Sequence, residues 1–223
     1  MTRLVIFDVD GTLVDSQAVI LAAMNAAFDS QGLASPDRAA VLGIVGLSLD
    51  QAVWRLAPDH APEVRARLVD GYKASYHAHR AQHGAAVGSP LFPGARELVE
   101  TLANTPGTLL GVATGKSRRG LDALLSDHGL IHHFATLQVA DDHPSKPDPS
   151  MVLACLRETG IAAGDAVMVG DTDFDIDMGR AAGVRTVGVQ WGYHPVERLA
   201  RADLLIDRFA ALDAALARLW GTA

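Results

Sequence analysis

Cysteine is nearly absent from this chain: the single thiol, Cys155, rules out an internal disulfide, so the fold must stand on packing alone. Basic charge is in deficit too. A formal net charge of -7 offers no cationic face for nucleic acid. No stretch reaches the roughly 18 uninterrupted apolar residues of a membrane span, and the N-terminus lacks the basic, then apolar, then small-residue order of a secretory signal. Repeats and low-complexity tracts are missing as well. These absences predict a cytoplasmic protein, monomer or homodimer, with neither a nucleic-acid nor a membrane partner. What is present is 49% hydrophobic residues over 223 positions, enough to fill one large core or a core with an insertion. Cys155 lies in the helical pattern PSMVLACLRETG and reads as a small core residue.

Near the start stands RLVIFDVDGTLVDS, in which the apolar run Leu4 to Phe7 leads directly into Asp8 and Asp10. Such a run ended by a glycine turn reads as a strand covered on both faces, as in a parallel sheet. Residues i and i+2 of a strand point to one side, so the two carboxylates face one space, roughly 7 Å apart along the chain. Burying acids is costly unless something positive shares that space. The alternative is a pair of solvated loop acids.

Beyond Gly11 the pattern turns helical. SQAVILAAMNAAFDSQG can be capped by Ser16 and stopped by Gly32, SLDQAVWRLA can be capped by Ser48, and PEVRARLVDGYKASYHAHRAQ follows. From about residue 16 to residue 89 no strand is predicted. After it, β-type runs alternate with helical ones: TLLGVAT, FATLQVA, AVMVG, VRTVGVQ and ADLLI. That alternation predicts an α/β fold, a Rossmann-like parallel sheet core with a helical cap inserted after the first strand. Residues 1–15 and 90–223 form the expected core and 16–89 the cap. The insertion holds six Lys/Arg and six Asp/Glu, so the negative charge resides in the core.

Ligand groups in open parallel sheets gather beyond the carboxyl ends of the strands. Strand one ends in Asp8 and Asp10, LLGVATGKS ends in Thr114, Gly115 and Lys116, and AVMVGDTDFDID ends in Asp171, with Asp173 and Asp175 behind it. DDHPSKPDPS supplies Lys146. Singly, each has a plain reading: Thr114 as a cap for the helix near Ser117, Lys146 as an exposed lysine, the acids as a solvated helix start. Their joint position at strand ends argues for a site. GVATGKS is one residue too short for a phosphate-binding P-loop. DTDFDID lacks the glycine and glutamate of a calcium loop.

These residues resemble the haloacid dehalogenase superfamily, and within it the phosphatases similar to phosphoglycolate phosphatase. DVDGT resembles the first family motif, Thr114 the second, Lys146 in SKPDP the third and GDTDFD the fourth, in that order along nearly the whole chain. The resemblance implies that Asp8 is the nucleophile forming an aspartyl-phosphate and Asp10 the general acid and base. It implies that Asp8, the Asp10 backbone carbonyl and Asp171 hold Mg2+, with Asp175 orienting Lys146 or a metal water. Thr114, Gly115 and Lys146 would bind the phosphoryl group. VGLSL resembles a specificity loop in the cap, making Ser48 and Gly46 candidates for substrate contact. Asp173 has no assigned role and is expected at a solvated rim. The implied substrate is a small phosphomonoester, phosphoglycolate-like or a sugar phosphate. Asp10 disfavours the dehalogenases and phosphonatases. A phosphomutase of the β-phosphoglucomutase type retains both acids and is the enzymatic alternative. A phospho-accepting receiver module shares the residue types but has no helical insertion.

Overall fold

The computed structural model describes residues 2–221. Six parallel strands form its centre: β1 (Arg3–Phe7), β2 (Thr108–Thr114), β3 (Thr136–Val139), β4 (Ala166–Gly170), β5 (Arg185–Val189) and β6 (Leu204–Ile206). They lie in the order β3-β2-β1-β4-β5-β6. The alternation read from the sequence is realised in every one of these strands. Successive residues of β1 point into two different cores: Val5 and Phe7 into one, Leu4 and Ile6 into the other. A strand with both faces covered has to be apolar throughout, as RLVIF nearly is.

Helices complete the two outer layers. α6 (Ala95–Ala103), α7 (Arg118–Asp127) and α10 (Leu212–Leu219) cover the Val5 face, and α8 (Ser150–Thr159) and α9 (Asp173–Ala181) cover the Leu4 face. Cys155 is buried on α8 beside Met151 and Val152. Strand order reverses about β1, with β2 on one side and β4 on the other. The carboxyl ends of these three strands therefore flank a crevice.

Between β1 and β2 the chain forms α1 (Gln17–Ser30), α2 (Arg38–Leu42), α3 (Leu49–Leu56), α4 (Pro62–His83) and α5 (Ala85–Gly88). The first four share a separate apolar cluster that includes Ile20, Met24, Phe28, Val53 and Leu68, whereas α5 places Ala85 in the core on the Val5 face of the sheet. α2 and α5 are too short for a periodic signal and were not expected. The chain leaves and re-enters the sheet layer side by side: Asp15 N–H donates to the Pro90 carbonyl at 2.8 Å, and Phe92 N–H to that of Leu13 at 3.0 Å. No helix among the described residues is long and apolar enough to cross a membrane.

Two predicted caps are not made. Ser16 precedes α1, but its hydroxyl donates to Asp10 Oδ1 at 2.5 Å instead of closing the helix. Ser48 precedes α3 in an extended conformation, yet its side chain makes no capping bond, and its N–H donates to Ser145 Oγ at 2.9 Å. The predicted stop is borne out. Gly32, at a φ of 66°, turns the chain just past α1 in the left-handed region that glycine enters without strain.

Candidate active site

Asp8 leaves the end of β1 with its side chain 1% exposed. The Lys146 ammonium, equally buried, lies 2.9 Å from Asp8 Oδ1 and 2.6 Å from Asp175 Oδ1. It approaches Asp8 off the hydrogen-bond direction, so both Asp8 oxygens are buried without an aligned donor. The neighbouring acids are better supplied. Asp175 Oδ2 accepts from the Thr172 N–H at 3.0 Å and hydroxyl at 2.6 Å, closing a capping box at the start of α9. Asp171 accepts from Thr12 Oγ1 at 2.9 Å and Tyr193 N–H at 2.8 Å. A Cβ on Gly11 would lie 2.2 Å from Asp171 Oδ2, so only glycine lets the turn after β1 pass this close.

Asp8, Asp171 and Asp175 each place a carboxylate oxygen within 4.8 Å of the others. Burial pushes the Asp8 carboxyl up to about 7 against the pull of Lys146, and burial with Asp175 and Asp8 pushes Asp171 well above the carboxylate range. Burial alone would lower Lys146, but Asp175 and Asp8 outweigh it and hold the ammonium above its ordinary value. One ammonium against three buried carboxylates leaves the cluster short of positive charge. Oxygen-only donors, a charge deficit and the orphaned Asp8 oxygens together fit a hard divalent cation.

Asp10 is turned away from that cluster. Its oxygens accept from Lys116 Nζ at 2.7 and 2.9 Å, and Lys116 also donates to the Tyr76 hydroxyl at 3.2 Å. Burial opposes charge on Lys116, and Asp10 overcomes it. Lys116 carries no role in the sequence reading, although it stands two residues past Thr114 on the same strand end. The usable signal was the unbalanced acid at Asp10, which calls for a cation in reach.

A cavity of about 200 Å³ lies over these groups. Asp8, Asp10, Thr114 and Gly115 line its sheet side, and Ile20, Met24, Val45, Tyr72 and Tyr76 its helical side. Gly46 and Ser48 border it too, on a loop lying so close to Gly115 that a Cβ there would be 2.6 Å from the Gly46 and Leu47 carbonyl oxygens. Lys146, Asp171 and Asp175 are not on the cavity wall; they sit behind Asp8. Thr114 is fully buried and accepts from the Lys116 N–H at 3.3 Å, while the helix-capping role belongs to Ser117. Asp173, expected at a solvated rim, keeps its side chain 31% exposed and is paired there: Arg198 donates two bonds of 2.9 Å to its carboxylate, and His194 Nδ1 lies 3.1 Å away.

Residues 5–189 match the family described as haloacid dehalogenase-like hydrolase. The chain belongs to this family. This hydrolase is 35% identical over 219 residues to a phosphoglycolate phosphatase of Rhodospirillum rubrum, an overlap covering 95% of this chain and 90% of that protein. It is 33% identical over 214 residues to an N-acetylmuramic acid 6-phosphate phosphatase of Pseudomonas putida, covering 92% of each. Its fold superposes on a haloacid dehalogenase-like hydrolase of Streptococcus pneumoniae with a TM-score of 0.82 at 24% identity, covering 96% of this chain and 98% of that one. The family resemblance carried by DVDGT, Thr114, SKPDP and GDTDFD is therefore correct, and the chain is an enzyme of this hydrolase type.

Proposed function

We propose that this hydrolase is a cytoplasmic, Mg2+-dependent phosphatase acting on a small phosphomonoester through an aspartyl-phosphate on Asp8, with residues 16–89 as a cap over a core of 1–15 and 90–223. The observation that carries this reading is Asp8 itself. It is a buried carboxylate at the floor of the cavity with neither oxygen aligned to a donor, which suits a nucleophile better than a structural acid. Names of relatives that act on phosphoglycolate and N-acetylmuramic acid 6-phosphate agree with a phosphomonoester, and a cavity of about 200 Å³ suits a small one.

An Asp8 oxygen attacks phosphorus, the bond to the ester oxygen breaks, and the departing oxygen takes a proton from Asp10. Asp10 then removes a proton from water as that water attacks phosphorus. The bond to Asp8 breaks, and inorganic phosphate leaves. Thr114 and the Gly115 amide hold phosphoryl oxygens, Lys146 balances charge on Asp8, and Asp175 keeps Lys146 in place. Asp8, the Asp10 carbonyl and Asp171 would hold Mg2+, which when bound supplies positive charge to phosphoryl oxygens that would otherwise meet a wall of acids. Lys116 has to yield one Asp10 oxygen to the leaving group. Hydrolysis of nitrophenyl phosphate is expected with Mg2+ and not in excess chelator, and undiminished hydrolysis in chelator refutes the reading. A panel of phosphomonoesters assayed in the same way names the substrate.

A further inference from the structure

The turn after β5, Trp191, Gly192 and Tyr193, touches three separate parts of the site although no motif reading pointed to it. Trp191 Nε1 donates to the Thr12 carbonyl at 3.1 Å, steadying the turn between Asp10 and the first helix. A Cβ on Gly192 would lie 2.1 Å from the Asp171 side chain, so the backbone passes against that carboxylate. The Tyr193 N–H donates to Asp171 Oδ2 at 2.8 Å. Its hydroxyl faces the opposite way, toward the segment that leads into α1. There it accepts from the Ser16 N–H at 2.8 Å and lies 3.2 Å from Ser16 Oγ and 3.4 Å from Asp15 Oδ1.

The direction of these bonds follows from proton counting. A serine hydroxyl has one proton to give, and that of Ser16 goes to Asp10 Oδ1 at 2.5 Å. The tyrosine proton is therefore the one donated toward Ser16 Oγ or Asp15. One residue thus holds Asp171 through its backbone and, through Ser16, reaches the carboxylate of Asp10. Lys116 grips the same carboxylate from the cavity side and does not fix Ser16.

We infer that the Tyr193 hydroxyl is a positioning residue for the proposed reaction, fixing Ser16 and through it the Asp10 carboxylate in register with the Asp171 side of the site. The inference rests on the phosphatase reading, in which Asp10 protonates the leaving oxygen. Loss of that register should matter most where the leaving group needs a proton. Tyr193→Phe keeps the ring, which packs against the helical cluster, and removes only the hydroxyl. For an alkyl phosphate, kcat should fall about tenfold or more with KM little changed, and for nitrophenyl phosphate the loss should be several-fold smaller. Ser16→Ala should show the same selectivity, and the double variant should lose no more than the worse single variant. Equal losses for both leaving groups, no loss, or additive losses in the double variant overturn the inference. Amide exchange at Ser16 reads the link without turnover: it should quicken about tenfold in Tyr193→Phe, and unchanged exchange also overturns it. Failure of the unaltered chain to hydrolyse any monoester would instead sink the phosphatase reading, leaving the exchange result to decide the link.

Discussion

Gly115→Ala adds one carbon where the sheet end meets the loop carrying Gly46 and Leu47. The new Cβ would lie 2.6 Å from both carbonyl oxygens, against an ordinary contact distance of 3.4 Å or more, so the loop must withdraw by about 0.8 Å. Overpacking of this kind costs about 1–3 kcal/mol. Gly115 belongs to the sheet layer and the two carbonyls to the insertion, so the strain falls on their approach rather than on either core. At about 1.4 kcal/mol per factor of ten, KM for nitrophenyl phosphate should rise roughly 5- to 150-fold, with a smaller change in kcat because Asp8 and Asp10 are untouched. Were the cost spread over the whole fold, the melting temperature would drop about 2–4 °C for each kcal/mol. A displaced Gly46–Leu47 loop alone should leave it within about 2 °C of the native value. Steady-state kinetics at saturating Mg2+, with a thermal melt of the same preparation, decide the matter. KM within twofold of the unaltered enzyme refutes the reasoning, as does a full drop in melting temperature without a change in KM.

Asp8 provides a prediction about pH. Burial raises its carboxyl from 3.8 to about 7, with Asp175 and Asp10 adding to the rise and Lys146 opposing it. A raised folded-state value means that the contribution to stability is complete below about pH 4 and is lost as pH climbs to about 7. In chelator at pH 8 the neutral variant Asp8→Asn should therefore be more stable than the native chain, by up to an amount on the order of 4 kcal/mol, with the gap closing toward pH 4. Mg2+ should stabilise the native chain more than the variant, and the variant should not turn over. Identical melts in chelator at pH 8 refute this account. Cys155 is buried, and burial pushes its thiol up to about 12. It should resist thiol reagents at pH 8 until the protein is unfolded, so rapid labelling of the folded chain would contradict its place in the core.

Much of the site was legible because its acids punctuate strands. RLVIF, TLLGVAT and AVMVG are apolar enough to be read as buried, and the residues that end them, Asp8 and Asp10, Thr114, and Asp171, fall together at the carboxyl end of a parallel sheet. Short elements were harder: α2 and α5 span five and four residues, less than two turns, and leave no period to detect. Ser16 shows a different limit. Its position before a helix suggests a cap, a local role, but a carboxylate six residues earlier competes for the same hydroxyl and takes it. Asp173 was expected at a solvated rim without an assigned role; it is part-exposed, and its partner Arg198, 25 residues on, was not visible from spacing.

The sequence by itself determined the kinds of element, their order and the end of the sheet at which chemistry collects, because each depends on periodicity or spacing within a few residues. Only the tertiary structure decided which partner each polar group has. Lys116 meets Asp10 across 106 residues of chain, and Tyr193 meets Ser16 across 177. Those pairings are set by strand order and by how the helical insertion folds back over the sheet. They arise because a polar group buried by packing must find a donor or acceptor among whatever the fold brings alongside it, however distant in sequence.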